Sequence, residues 1–282
     1  MNVSVSCSLV LYKTDKKDII KIIKCLSNEK IIDVIYVIDN SPFSSFFIID
    51  NINLNNKIIY IHNPKNPGFG AAHNIAIKQT MDLGFKYHFV VNPDIYLKED
   101  VIFQMIDFME KDTAVGMMMP QILNLDGTIQ NLPKLLPSPM SILLRKVKRP
   151  KKLYDKFINK YELRTVKSDQ IYNTPILSGC FTLLNLKAIE KVGGYDDKYF
   201  MYFEDWDLSR RVHQHFKTVY FPKVSVYHGY DSGANNNIKL FKIFLKSAMA
   251  YFNKWGWFFD EDRSIKNKKT LLQFNEVNSN RG

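Results

Sequence analysis

With 282 residues, 46% of them hydrophobic, the chain is long enough to bury one large core, or one core with an appendage. Its longest apolar runs, such as Ile31–Ile38 and Ile48–Ile49, are too short or too interrupted to span a bilayer. Cys7, Cys25 and Cys180 are widely spaced and form no Cys-x-x-Cys pair, which argues against a zinc site or a disulfide framework and for a reducing compartment.

Met1–Leu11, with Ser4, Ser6 and Ser8, reads as a strand and not as a signal segment, so the expected location is the cytoplasm. The strand proper is Val3–Leu11, and Lys16–Leu26 is an amphipathic helix with Ile19, Ile22, Ile23 and Leu26 on one face. Val34–Asp39 is a second strand, followed by the turn Asn40-Ser41-Pro42. Lys57–His62, the helix Ala71–Met81, and the strand His88–Asn92, stopped by Pro93, come next. The helix Glu99–Glu110 and the strand Val115–Met119 complete the alternation. Strand-helix alternation of this kind predicts an α/β fold with a parallel, helix-covered sheet, whose ligands bind beyond the carboxyl ends of the strands. Tyr12, Asp39, Asn66–Gly70 and Asn92–Asp94 then share one rim.

After Met119 the rhythm breaks: Asp126-Gly127 signals a hairpin turn, and Pro133, Pro137 and Pro139 punctuate a loop. The segment Ile142–Ser168 carries ten Lys/Arg against Asp155 and Glu162, a net +8 of the whole chain's +11. It reads as a solvated surface loop, or as a patch for anionic headgroups or a diphosphate-bearing ligand. No nucleic-acid motif accompanies the charge, so nucleic acid is not expected as a partner. Alternation resumes at Thr174. Ile238–Trp255 is a helix with Lys239, Lys242 and Lys246 on one side and Phe241, Phe244, Leu245, Ala248, Phe252 and Trp255 largely on the other. It either packs on the core or lies on a membrane surface. The polar tail Asp260–Gly282 is expected to fray.

Several residue groups have chemical potential. Asn66-Pro67-Gly68-Phe69-Gly70-Ala71-Ala72-His73-Asn74 is a glycine loop opening a helix, either a plain tight turn or a close backbone approach to an anion. Asn92-Pro93-Asp94 ends a buried strand; Asp94 either caps a turn or reaches a hard divalent cation. Asp39 is an Asx turn or an acceptor for a base N–H. Glu204 and Asp205 follow the aromatic run Phe200-Met201-Tyr202-Phe203 at a helix start, and Asp207 is four residues before Arg211 and fits an intrahelical ion pair. His228 ends a strand as a structural histidine or a metal ligand, whereas His62, His73, His88, His213 and His215 read as structural.

Taken in order, these residues resemble glycosyltransferase family 2, inverting enzymes of the GT-A fold, and within it the rhamnosyltransferase-like group of polysaccharide assembly. The resemblance runs over roughly residues 3–235. Val5–Tyr12 resembles the first nucleotide-binding strand, Val37-Ile38-Asp39-Asn40-Ser41 the base-recognising strand end, and Asn66–Asn74 the Asn-x-Gly loop. Asn92-Pro93-Asp94 stands where Asp-x-Asp is expected, with Asn92 in place of its first acid, and Lys13 stands where a small polar residue is usual. Ser178-Gly179-Cys180 resembles the acceptor-side turn and Tyr202–Asp207 the Glu-Asp motif. The resemblance implies Asp205 as general base and Asp94 with His228 as holders of Mg²⁺ or Mn²⁺. It implies donor contacts at Leu11, Tyr12, Asp39, Asn66, Gly68, Gly70, Asn74, Asn92 and Pro93, and acceptor contacts at Ser178, Gly179, Glu204 and Trp206.

The implied organisation is a GT-A catalytic domain over 1–235, with a donor half to about 119 and an acceptor half after it, then a C-terminal helix and tail over 236–282. The implied donor is a dTDP- or UDP-sugar, with dTDP-rhamnose the first expectation. The implied acceptor is a saccharide on a polyprenyl diphosphate, used in cell-surface polysaccharide such as O-antigen, with the enzyme peripheral on the inner face of an anionic plasma membrane. The competing expectations are a non-enzymatic sugar-binding or scaffolding subunit and a sugar-phosphate nucleotidyltransferase. The latter should carry a longer glycine-rich start than Leu11-Tyr12-Lys13-Thr14 provides.

Overall fold

The computed structural model describes residues 3–50, 52, 56–97, 100–229 and 237–279. Its first half alternates β1 (Val5–Leu11), α1 (Lys16–Asn28), β2 (Val34–Asp39), α2 (Phe46–Asp50), β3 (Ile58–His62), α3 (Phe69–Asp82) and β4 (Tyr87–Val91). A short β5 (Ile95–Leu97), α4 (Val101–Lys111) and β6 (Val115–Leu123) follow. Glu99, the expected start of α4, lies outside the described residues. Ile19, Ile22, Ile23 and Leu26 of α1 are buried, as their spacing predicts, and Asp15 caps the helix through the N–H of Lys17.

The sheet runs β3-β2-β1-β4-β8-β6-β9-β5, where β8 is Phe181–Asn185 and β9 is Lys217–His228; the short β7 (Tyr172–Asn173) pairs with β9. β3, β2, β1 and β4 are parallel to one another, as expected. Beyond them the expectation of a parallel sheet fails, because β8 lies antiparallel between β4 and β6. Periodicity reports that a segment is a strand but carries no information about its neighbour, and here a strand from the second half of the chain separates two from the first. The Asp126-Gly127 turn closes a hairpin, with Leu123 bridging Ile129.

The basic segment is not a loop. It forms α5 (Pro139–Val147) and α6 (Lys151–Tyr161). Ser138 caps α5 in a reciprocal box with Ser141, and Pro139 occupies the first helical turn. After α7 (Leu186–Val192) and α8 (Glu204–His213), the chain ends in α9 (Ile238–Trp255) and α10 (Glu261–Ser279). The expected fraying of the tail is likewise corrected over the described residues, since Glu261–Ser279 form α10 and side chains as far as Gln273 hold it. Fully buried Arg210 of α8 binds Asp260 at 2.6 and 2.9 Å, reaches Asp262, and stacks on Trp255 at 4.2 Å. Asn267 exchanges hydrogen bonds with the backbone of Leu136, and Gln273 does the same with Asn173. The expected boundary near residue 235 falls outside the described residues.

Candidate active site

The carboxyl ends of β1, β2 and β4, the end of β9 and the turn leading into β8 form one rim, and the residues singled out above gather there. On the β2 side Asp39 is fully buried, and its carboxylate accepts from the N–H of Ser41 at 2.9 Å, the N–H of Ser45 at 2.7 Å and the hydroxyl of Tyr60 at 2.7 Å. Burial opposes ionisation, but these donors outweigh it and hold the carboxyl below its usual range. Asp39 is therefore an Asx-turn residue that shapes the loop. Leu11 is also fully buried, and its carbonyl accepts from the N–H of Asn40. The exposed parts of this corner are Tyr12 and Lys13, the latter with a positive φ of 52° and its N–H on the hydroxyl of Ser41.

The glycine loop meets protein more closely than solvent. Gly68 has φ 105°, and a Cβ there would lie 2.2 Å from the carbonyl of Phe200, which accepts the N–H of Phe69. A Cβ on Gly70 would lie 2.7 Å from Cβ of Tyr195. Asn74 uses its amide on the backbone of Tyr195, donating and accepting at 2.8 Å, and donates again to Asp197. Pro67 is exposed, and Asn66, with φ 45°, is half-buried. The loop's glycines and Asn74 thus fasten α3 to the turn at 193–200.

Asn92, Pro93 and Asp94 make the tight turn between β4 and β5, with the N–H of Asn92 on the carbonyl of Cys180. β5 pairs antiparallel with the end of β9 so that Ile95 opposes His228. That register brings Oδ2 of Asp94 to 3.4 Å from Nε2 of His228, with the Asn92 amide also at 3.4 Å. Gln130, which the sequence did not single out, donates its amide to Asn124 and to the carbonyl of His228, so its Oε1 faces Nδ1 of the imidazole at 3.1 Å. An amide oxygen only accepts, so Nδ1 carries a proton, and Nε2 faces the Asp94 carboxylate. The pair suits a hard cation that completes its shell with phosphate and water. Among the described residues no group of three His, Cys, Asp or Glu surrounds one point, so the protein would offer two ligands here.

On the other side, Tyr202 and Phe203 both have positive φ, 70° and 69°, and turn the chain sharply into α8. Phe203 is buried against Phe244 and Tyr251 of α9, and Trp206 packs on it at 4.7 Å. This aromatic packing holds the strained turn and fixes where Glu204 and Asp205 emerge. Asp205 accepts the N–H of Gly179 at 3.1 Å and that of Trp206 at 2.9 Å. Glu204 is buried, and its Oε2 has no hydrogen-bond partner among the described residues.

Burial first, and Asp205 second, push the Glu204 carboxyl well above its usual range. Burial also raises Asp205, but the two backbone N–H groups and the Lys134 ammonium oppose it. Of the two adjacent carboxyls, Asp205 is the one with neighbouring N–H groups aimed at its anionic form. Lys134 was not anticipated. It is buried between β6 and α5, donates to the carbonyls of Asn131 and Leu132, and burial pushes it down to about 8. No turn or periodicity signal marks it, because its role follows from a loop folding under Ile176, three residues before Gly179.

A Cβ on Gly179 would come within 3.4 Å of Cβ of Asp205, 3.3 Å of the Phe69 ring and 3.6 Å of the Tyr195 hydroxyl, so the missing side chain keeps this corner open. Ser178 is half-buried beside it. Asp207 is paired with Arg211 as its spacing predicts, and is also bound by Trp255 and Lys254, which ties α8 to α9.

Comparison with known proteins places the chain in a family. Residues 9–193 match the model of glycosyl transferase family 2. Over 174 residues the chain is 27% identical to the "N-acetylglucosaminyl-diphospho-decaprenol L-rhamnosyltransferase" of Mycobacterium tuberculosis, in strains CDC 1551 / Oshkosh and H37Rv alike. That match takes in 58% of this chain and 56% of the relative's length, so the chain spans about half of the curated relatives it matches. Among solved structures, a crystal structure of GalNAc-T7 with UDP, GalNAc and Mn²⁺ superposes with a TM-score of 0.64 over 90% of this chain and 49% of that one, at 15% identity. This last likeness shows the GT-A fold. Because the family match extends over well over half of the residues, the chain belongs to glycosyl transferase family 2.

Proposed function

We propose that the protein is an inverting glycosyltransferase that moves a sugar from a nucleoside diphosphate to a saccharide acceptor, with Asp205 as general base. The observation that carries this reading is the asymmetry between Glu204 and Asp205: Asp205 accepts from the N–H groups of Gly179 and Trp206 whereas Oε2 of Glu204 is buried without a partner among the described residues, and Gly179 belongs to the turn whose Cys180 carbonyl accepts from Asn92 beside the Asp94–His228 pair. In an inverting displacement the acceptor hydroxyl attacks the anomeric carbon from the face opposite the nucleotide, so one base suffices and no covalent nucleophile is needed. Asp205 takes the hydroxyl proton as the bond to the diphosphate breaks. Glu204, Trp206, Ser178 and the open corner at Gly179 orient the acceptor.

Tyr12, Lys13 and the loop shaped by Asp39 frame the base, while Asn66, Asn92 and Pro93 border the sugar diphosphate. Asp94 and His228 would hold Mg²⁺ or Mn²⁺, which when bound offsets the charge that develops on the leaving diphosphate. L-rhamnose from dTDP-rhamnose is the proposed donor, and a polyprenyl-diphosphate-linked saccharide the proposed acceptor. Both rest on likeness to the mycobacterial relative, whose name states that sugar and that kind of acceptor. Such an acceptor places the enzyme at the inner face of the plasma membrane. The test is a thermal-shift series with dTDP, UDP and GDP and either cation, followed by nucleoside diphosphate release from the matching nucleotide sugars. Stabilisation by dTDP with turnover of dTDP-rhamnose supports the reading in full. Turnover of a UDP-sugar instead replaces the donor, and absence of binding by every nucleotide overturns the function.

A further inference from the structure

α9 has two apolar faces. One, with Phe244, Ala248, Tyr251 and Phe252, packs on the aromatic segment that carries Glu204 and Asp205, and Ser247 donates to the carbonyl of Met201. The other, at Ile238, Phe241, Leu245 and Met249, is exposed to solvent in a stripe of helical spacing. α5 presents a matching stripe at Met140, Leu143 and Val147. The two stripes are neighbours, because Nζ of Lys146 lies 4.9 Å from the Phe244 ring centre and 5.5 Å from that of Phe241.

At its other end α5 meets the turn between α9 and α10, where Arg263 donates to the carbonyls of both Pro137 and Phe258. This turn holds the most exposed apolar side chains of the region, Phe258 at 79% and Phe259 at 98%. Residues 139–152 and 238–259 together contain ten Lys/Arg and not one Asp or Glu. Arg145 and Lys254 turn inward to Glu162 and Asp207. The other eight remain on the exposed side, five between Lys146 and Lys152 and three on α9.

We propose that α5, the outer face of α9 and the Trp257-Phe258-Phe259 turn form one docking surface for an anionic lipid bilayer. Large exposed aromatic and aliphatic side chains ringed by cations, with carboxylates excluded from both segments, match a surface that inserts apolar tips while its lysines sit at the headgroups. The surface gives the membrane-borne acceptor proposed above a physical route: α9 alone, about 10 Å thick, separates the bilayer from the segment bearing Asp205. Its purpose rests on that reading, but its existence does not.

The experiment is co-sedimentation of the full chain with phosphatidylglycerol-containing vesicles and with pure phosphatidylcholine vesicles, at low and high salt. The parent should bind the anionic vesicles, bind neutral ones at least about tenfold less, and lose binding steeply with salt, since surface attraction fades within a Debye length of ~8 Å at physiological ionic strength. Phe258→Ser/Phe259→Ser and Lys239→Glu/Lys242→Glu should each lower binding about tenfold or more. Because these side chains are exposed, the thermal midpoint and nucleoside diphosphate binding should stay as in the parent, which separates loss of docking from loss of the active site. Absence of binding to anionic vesicles, or equal binding by parent and both variants, overturns the docking surface. A lipid-free dimer in sedimentation velocity that Phe258→Ser/Phe259→Ser dissociates would give the face to a second copy and overturn it as well. Vesicle binding by a parent that binds no nucleotide would leave docking intact and remove the proposed function.

Discussion

Oδ2 of Asp205 accepts the backbone N–H of Gly179 at 3.1 Å, while the neighbouring Glu204 has an Oε2 without a donor. Two consecutive carboxyls thus differ in their surroundings: burial raises both, but at Asp205 two peptide N–H groups oppose it.

The first prediction separates them by substitution. Asp205→Asn should leave nucleotide binding intact and lower kcat by roughly two to four orders of magnitude, as expected for a removed general base. Glu204→Gln imitates the protonated acid and should retain kcat to within about tenfold. Steady-state kinetics of both variants decide the matter, and a larger loss in Glu204→Gln would transfer the base to Glu204.

A second prediction concerns pH. Asp205 works as the anion, and burial raises its carboxyl above the usual range. A raised value keeps the inactive, protonated form present to higher pH, so activity is full above it and falls as pH drops through it. The acid limb of kcat/KM should therefore lie above that of an ordinary aspartate. The charged and titratable groups facing Asp205 are Glu204, Lys134, Tyr195 and Cys180, and only Lys134 favours ionisation. Lys134→Met should move the limb to still higher pH, whereas an unmoved limb would remove Lys134 from any electrostatic part in the site.

The Gln130–His228–Asp94 chain yields a third. Gln130→Leu removes the acceptor that keeps the proton on Nδ1 and should weaken cation-dependent nucleoside diphosphate binding about 10–100-fold, the usual cost of losing such an outer partner. Asp94→Ala and His228→Ala should do at least as much, with cation-free nucleoside binding unchanged. Calorimetric titrations with and without Mn²⁺ provide the check, and parent-like binding in all three variants would place the cation elsewhere.

Stability supplies the fourth. Arg210→Met strands the buried carboxylate of Asp260 and should cost about 3–5 kcal/mol, the range for breaking a buried pair from one side. The Arg263 guanidinium, 3.7 Å from the same carboxylate, leaves the cost at the lower end. Urea unfolding read by circular dichroism measures it. A loss under about 1 kcal/mol would mean that α10 is held mainly by its other contacts.

The sequence by itself determined the strands and helices before Met119 apart from the short α2 and β5, the Asp126-Gly127 hairpin, the Asp207–Arg211 pair, the family, and which carboxylates and histidine gather at one rim. These are properties of short windows: hydrophobic period, turn chemistry and motif order are all written within a few turns of chain. The two helices of the basic segment were also within reach, since Ser138-Pro139 is a capping signal, but the run of lysines and arginines masked it. Tertiary structure alone decided that β8 runs antiparallel into the middle of the sheet, and that Gly68, Gly70 and Asn74 serve the backbone of Tyr195 and Phe200. It also decided that Gln130 faces Nδ1 of His228 and that Asp205, not Glu204, accepts the N–H of Gly179. Asn74 and Tyr195 are 121 positions apart, Gln130 and His228 98, Gly179 and Asp205 26. At such separations no local pattern constrains the pairing. It is chosen by register, burial and the need to give each buried polar group a partner, which exist only once the whole chain has closed on itself.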